Sequence, residues 1–357
     1  MAKKHNFNGG PSILPQEVFE AAAAAILDFN GTGLSILEIG HRTTIFQAVM
    51  DEAIALVKEL MNLSPEQEVL FLHGGASTQF FQVPMNLLDE NATAAYLDCG
   101  VWGSKAIKEA RIFGNVDVVA SSKDRNYRYI PKQYTIPPGA SYFHYTTNNT
   151  IEGTEVHEIP DTAVPLVCDM SSDILSRQMD FTRYGLIYAG AQKNIGAAGV
   201  NLVIVNKNIL GKVSRKLPTM MDYRQHIENG SMLNTPPVFA VYVCLLTLRW
   251  LKEQGGVAGI EKINAQKAKL LYDTLDELPI FTPTVDKADR SLMNVVFTMP
   301  DAELEKEFLE TCKKENLVGV KGHRSVGGFR VSLYNALPLS SVQVLTEVMK
   351  QFALQHA

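Results

Sequence analysis

The sequence predicts an α/β protein: a mostly parallel β-sheet covered by helices, followed by a smaller α/β unit. Two observations carry that expectation. Between residues 68 and 205 short apolar runs recur with helical patterns interleaved among them, which is how a parallel sheet and its connecting helices look in sequence. Beyond residue 238 a long helical region is followed by strand, helix, strand and helix, the same alternation on a smaller scale. At 357 residues, 46% of them hydrophobic, the chain can bury a large core.

Each element has its own signal. After the Asn8-Gly9-Gly10-Pro11 turn, Pro15 opens a helix over 15–28 that an alanine run favours. Ile45, Phe46, Val49, Met50, Ala53, Leu56, Val57 and Leu60 recur at helical spacing and mark an amphipathic helix over 43–61. Apolar runs at 68–72, 94–98, 116–120, 164–168, 186–189 and 200–205 read as strands, with helices at 76–88 and 103–112. Thr150 follows a further strand. The helical region from 238 to Leu278 breaks near Gly255-Gly256 and leads to a strand (292–298), a helix (301–315), a strand (328–334) and a last helix (339–354). With no repeat or low-complexity tract to mark a linker, the division expected is a large domain over 13–255 and a small one over 256–357. Residues 1–12 could belong to either, the small domain being the candidate.

Charge and cysteine usage narrow the class. A formal net charge of −5, with neither a basic patch nor a basic tail, argues against nucleic acid or an anionic membrane as the main partner. Any anionic ligand must therefore meet local positive charge. Cys99, Cys168, Cys244 and Cys312 form no C-x-x-C pair, which suits a reducing, cytoplasmic setting. The N-terminus lacks an apolar signal core and no run of 18 apolar residues occurs, so neither standard secretion nor a membrane span is expected. No metal site is expected.

One stretch stands out chemically. Tyr188-Ala189-Gly190-Ala191-Gln192-Lys193-Asn194 sets a lysine among small residues directly after an apolar run. Lysine is rarely buried without a partner, and loss of water pushes its pKa down from about 10.4, as a nucleophilic amine requires. Twenty-four residues upstream, Pro165-Leu166-Val167-Cys168-Asp169 ends a second apolar run on a carboxylate. An Asp and a Lys at the ends of neighbouring strands are the pair that pyridoxal phosphate uses, the lysine joined to the cofactor and the carboxylate facing its pyridine nitrogen. Taken alone, Asp169 also fits a helix cap and Lys193 a solvated loop.

Other segments are weaker singly. Leu72-His73-Gly74-Gly75-Ala76-Ser77 is a strand-to-helix turn that can receive a phosphate on backbone N–H groups, although such turns also serve packing. Trp102, flanked by Gly100 and Gly103, could stack on a planar ring or belong to the core. Thr150 could hydrogen-bond a ring hydroxyl, while turn chemistry explains Asn148-Asn149 equally well. Trp250 reads as core. His41-Arg42 and His323-Arg324 are two His-Arg pairs beside glycines in an acidic chain, and Arg330 follows Gly327-Gly328. Arginine's planar fork suits carboxylate and phosphate.

In this order the segments resemble the class V aminotransferases of pyridoxal phosphate fold type I, over essentially the whole chain. The resemblance rests on Asn-Gly-Gly-Pro, Glu38-Ile-Gly-His41-Arg42, the Gly-Gly-Ala-Ser turn, Trp102, Asn149-Thr-Ile-Glu-Gly153, Asp169-Met-Ser-Ser and Ser176-Arg177. It rests further on Ala189-Gly-Ala-Gln-Lys-Asn194, Asn234-Thr235-Pro-Pro and Gly322-His323-Arg324 through Arg330. It implies a seven-stranded, mostly parallel sheet in the large domain. It implies that Lys193 carries the cofactor, Asp169 pairs with the pyridine nitrogen, Trp102 stacks on the ring and Thr150 meets its hydroxyl. Ala76, Ser77 and Gln192 would hold the cofactor phosphate, with Asn234 and Thr235 reaching in from the second subunit of a homodimer. Arg330 would take the substrate α-carboxylate. His323 and Arg324, with His41 and Arg42 from the second subunit, would take a distal phosphate or the glutamate side chain.

The activity implied is transamination of 3-phosphohydroxypyruvate by L-glutamate with ping-pong kinetics, the phosphorylated 3-hydroxy-2-oxo acid of pyridoxine biosynthesis being a further candidate acceptor. Some relatives have arginine where this chain has Ser77. A cysteine desulfurase would call for histidine before the lysine, where Gln192 stands, and a loop cysteine, whereas Cys312 lies in a helical stretch. A general class V transaminase acting on alanine, serine or glyoxylate is the alternative. A non-enzymatic phosphate-binding module would leave the Lys193 and Asp169 pairing without a purpose.

Overall fold

The computed structural model describes residues 4–324 and 326–356, so residues 1–3 of the N-terminal dozen lie outside it. In chain order the first half contains β1 (His5–Asn6), α1 (Gln16–Leu27), α2 (Thr44–Leu60), β2 (Gln67–Leu72), α3 (Gly75–Leu87), β3 (Thr93–Asp98), α4 (Val101–Ala110), β4 (Asn115–Ser121), β5 (Phe143–Thr146) and β6 (Leu166–Asp169). Then come β7 (Tyr184–Gly190), β8 (Asn201–Asn206), α5 (Tyr223–Glu228), α6 (Val238–Glu253), α7 (Gly256–Glu277), β9 (Thr282–Pro283), β10 (Asn294–Thr298), α8 (Ala302–Lys314), β11 (Leu317–Val318), β12 (Phe329–Ser332) and α9 (Leu339–Gln355).

Seven strands form one sheet in the order β2-β8-β7-β6-β5-β3-β4. All of its contacts are parallel except those of β8, which runs antiparallel to both neighbours. The central strands are buried on both faces, which is why they read as continuous apolar runs rather than as alternation. Side chains of β7 show the two faces: Ile187 and Ala189 join the core under α1, α2 and α6, while Leu186 and Tyr188 join the core under α3 and α4. The period of two thus feeds two helical layers.

A separate core gathers Leu271, Phe297, Phe308, Phe329, Leu345 and Phe352 around the three-stranded sheet β12-β10-β9. Helix α7 spans both cores, with Val257 and Ile260 in the first and Ala268, Leu271 and Leu275 in the second. The N-terminal strand β1 pairs in parallel with β11, and Phe7 is fully buried in the second core. The chain then crosses to the large sheet, where Ser12 donates its N–H to Gln192 O at 2.9 Å and its hydroxyl to Lys193 O at 2.6 Å. Among the described residues no helix is long and apolar enough to cross a membrane.

Candidate active site

Because β2, β3, β5, β6 and β7 all run in one direction, their C-terminal ends share one edge, where α/β sheets bind ligands. Asp169 is the last residue of β6, and Lys193 lies three residues beyond β7. Thr150 follows β5, Trp102 sits in the first turn of α4 after β3, and Gly74 to Ser77 follow β2. These segments surround a cavity of about 450 Å³, within the range of cofactor pockets. Asp169, Lys193, Trp102 and Thr150 line it, as do Ala76, Ser77 and Gln192. His323 and Arg330 reach it from the second core.

The amine of Lys193 donates to Thr150 Oγ1 at 2.6 Å. Loss of water pulls its pKa down to about 8, the negative charge of Asp169 resisting and the positive charge of Arg330 assisting. Asp169 is buried, and burial raises its pKa, offset by the N–H of Ser171, which donates to Oδ1 at 2.9 Å, and by the Lys193 charge. Ser171 is itself fixed, its Oγ accepting from the Gly190 N–H at 3.1 Å. Beneath it a buried group braces the strand end: Thr147 donates its N–H to Asp169 O and its hydroxyl to the Asp173 carboxylate. Arg177 lies 2.9 Å from Glu155 and 3.6 Å from Asp173.

Also on the cavity wall, α3 begins after Gly74, whose φ of 93° is left-handed and whose added Cβ would collide with Thr78. No side chain caps this helix, so its first N–H groups are available to a phosphate. On α4, the Trp102 ring lies 6.4 Å from Phe80, and its indole nitrogen is buried with no partner among the described residues. Glu152 Oε1 accepts from the Val101 N–H at 2.9 Å, which ties the start of α4 to the Thr150 loop.

The pocket is rich in positive charge. Arg330 packs so closely on Gly9 that a Cβ there would lie 2.3 Å from Arg330 Nη2. Burial, then the charges of Arg330, Arg324 and Lys105, hold the His323 pKa below its ordinary value. Lys105, one turn beyond Trp102, places Nζ 4.2 Å from the indole centroid.

Five expected residues lie outside the cavity lining of their own chain. Arg324 is exposed on the turn after His323, and Arg42 is exposed on the loop before α2. His41 beside it has a buried Nε2 without a partner among the described residues. Asn234 and Thr235 lie before α6, with Thr235 O hydrogen-bonded to His73 Nε2 at 2.9 Å. Sequence reasoning missed Lys105, Glu152, Ser171 and the bracing of Lys193 by Ser12. Ser171 was legible in Asp-Met-Ser-Ser, whereas Lys105 reads as one more charge on an amphipathic helix.

The arrangement fits pyridoxal phosphate: an amine of lowered pKa, a buried carboxylate beside it, an aromatic platform with a free indole N–H, and an uncapped helix start for the phosphate. The family model for class-V aminotransferases matches residues 4–345. The chain is 57% identical to the phosphoserine aminotransferase of Flavobacterium johnsoniae, covering 98% of each, and 56% identical to that of Phocaeicola vulgatus, covering 99% of this chain and 100% of the other. Its structure superposes on phosphoserine aminotransferase from Bacillus circulans subsp. alkalophilus with a TM-score of 0.97 at 45% identity, over 99% of each chain. With pyridoxal phosphate-bound phosphoserine aminotransferase from Trichomonas vaginalis the TM-score is 0.94 at 36% identity, over 98% of this chain and 100% of that one. Fold, pocket chemistry and similarity over nearly the full length agree: the chain belongs to the class-V aminotransferase family and depends on pyridoxal phosphate.

Proposed function

We infer that the protein transfers the amino group of L-glutamate to 3-phosphohydroxypyruvate, giving O-phospho-L-serine and 2-oxoglutarate, the transamination of serine biosynthesis. The carrying observation is that Lys193 and Asp169 share one cavity with His323 and Arg330, in a chain 56–57% identical to proteins named phosphoserine aminotransferase.

Bound pyridoxal phosphate supplies an electron sink for the substrate's α-carbon. Lys193 Nζ is the base that takes the α-proton, and a pKa of about 8 leaves part of it unprotonated near neutrality. The Asp169 carboxylate would hold the proton on the pyridine nitrogen. Trp102 would back the ring, Thr150 would meet the ring hydroxyl, and Ala76, Ser77 and Gln192 with the start of α3 would hold the phosphate. Arg330 grips the substrate α-carboxylate through its planar fork. His323 and Arg324 meet the distal anion.

The same reading makes the enzyme a homodimer in which His41, Arg42, Asn234 and Thr235 complete the cavity of a second copy. It is supported by their position outside their own cavity and by exposed Leu27, Leu34, Leu37 and Ile45 flanking His41 and Arg42. We assign 13–255 to a cofactor-binding domain and 256–357 to a small domain joined by the N-terminal segment, since β1 pairs with β11. A cytoplasmic setting suits the four buried free thiols.

The test is an acceptor screen with glutamate as donor. Phosphohydroxypyruvate is expected to exceed pyruvate and glyoxylate by about a hundredfold in kcat/KM, the worth of about two charge-assisted contacts. Equal rates would instead indicate a general class V transaminase. The phosphorylated 3-hydroxy-2-oxo acid of pyridoxine synthesis belongs in the same screen.

A further inference from the structure

Three cations and an imidazole gather near one side of the cavity: Arg330 and His323 line it, Arg324 follows on the turn, and Lys105, held on the Trp102 ring, is near enough for its charge to act on His323. Three are arginine or histidine and were legible as anion binders. Lys105 differs, because it comes from the large sheet's side of the cleft and is exposed. Among the described residues it has no carboxylate partner within ion-pair distance, although its neighbours on α4 are engaged, as where Ser104 donates to Asp98 at 2.7 Å. Its ammonium instead rests on the Trp102 ring, 4.2 Å from the centroid. A cation held on an indole face keeps its charge and gives up little on turning to a better partner, since such a contact is modest at an exposed site.

We propose that Lys105 is a specificity-determining residue, a cation that turns from the Trp102 ring to receive the distal phosphate of the oxo acid, opposite His323. The proposal rests on the phosphorylated acceptor inferred above. A phosphate dianion needs donors from more than one direction, and His323 and Arg324 come from a single turn. Lys105 supplies the opposing direction from a rigid helix. It also explains why an exposed lysine has no carboxylate partner among the described residues, in an acidic chain with carboxylates to spare. The mutual repulsion of Lys105 and His323, which helps lower the His323 pKa, is relieved when the anion lies between them.

The experiment compares Lys105→Gln and Lys105→Arg with the parent holoenzyme, using phosphohydroxypyruvate and hydroxypyruvate as acceptors. Lys105→Gln is expected to raise KM for the phosphorylated acceptor about tenfold, as loss of one charge-assisted contact does, with KM for hydroxypyruvate changing less than twofold. Lys105→Arg should recover most of the loss. An equal effect on both acceptors, or none, would overturn the proposal. As a readout independent of turnover, the His323 ring should titrate at higher pH in Lys105→Gln by NMR, and an unmoved titration would count against the juxtaposition. A parent enzyme without preference for the phosphorylated acceptor would instead sink the functional reading on which this rests.

Discussion

The amine of Lys193 and the hydroxyl of Thr150 are hydrogen-bonded at 2.6 Å, although 43 residues separate them in the chain. The contact spans the ends of two parallel strands and aims the amine into the cavity that Asp169 and Trp102 also line. Thr150 thereby supplies an acceptor for the lysine as well as the hydroxyl expected to meet the cofactor ring.

Lys193→Ala should abolish transamination, by at least about a thousandfold, since on the proposed reading it removes both the cofactor's attachment point and the base. Circular dichroism should show the fold retained. In cofactor-free enzyme, the rate of pyridoxal phosphate uptake should rise with pH through about 8, because Lys193 loses its proton there rather than near its ordinary value. Stopped-flow absorbance measures it, and an inflection near 10 would contradict the desolvated site.

Asp169→Asn retains the acceptor for the Ser171 N–H but loses the charge. It should lower kcat about a hundredfold or more while leaving thermal stability nearly unchanged, since a neutral amide removes a buried charge without removing volume. Steady-state kinetics beside a melting curve separate the two effects.

The site proposed above to be shared between two copies predicts complementation. At acceptor concentrations well below KM, Lys193→Ala alone should be inactive and Arg42→Ala alone should keep about a tenth of the parent rate, the loss of one charge-assisted contact. Refolded as an equal mixture they should recover about a quarter of the parent rate, because half of randomly paired dimers carry one intact site of two. No recovery would place Arg42 in its own subunit's site or in none.

Gly9→Ala tests the grip of Arg330. The new Cβ would fall 2.3 Å from the end of a flexible side chain, so the guanidinium moves rather than the backbone. KM for glutamate should rise about tenfold, the worth of one misdirected charge-assisted contact, with the melting temperature little changed. An unaltered KM would dissociate Arg330 from the α-carboxylate.

Much of the candidate site was legible because its residues sit in local patterns. A lysine after an apolar strand, a carboxylate ending another and glycines before a helix each mark a position within a few residues, their joint order suggests the roles that none states alone, and the alternation of runs and helices marks the sheet as mostly parallel. Strand β1, the Glu152 cap and the Ser12 brace were not legible. Two-residue pairings and single hydrogen bonds leave no periodicity, and their partners lie far along the chain.

By itself the sequence determined the fold class, singled out Lys193 and Asp169 as candidates for the cofactor's lysine and carboxylate, and gave the set of basic residues available for an anionic substrate. Only the tertiary structure decided which of those cations meet. His323 and Arg330 enter the cavity with Lys193, Lys105 lies on the Trp102 ring that lines it, and His41 and Arg42 are not part of its lining. The physical reason is that charge acts through space and over only about 10 Å at ordinary salt, so the potential of a site is set by strand order and helix placement, which no local run of residues encodes.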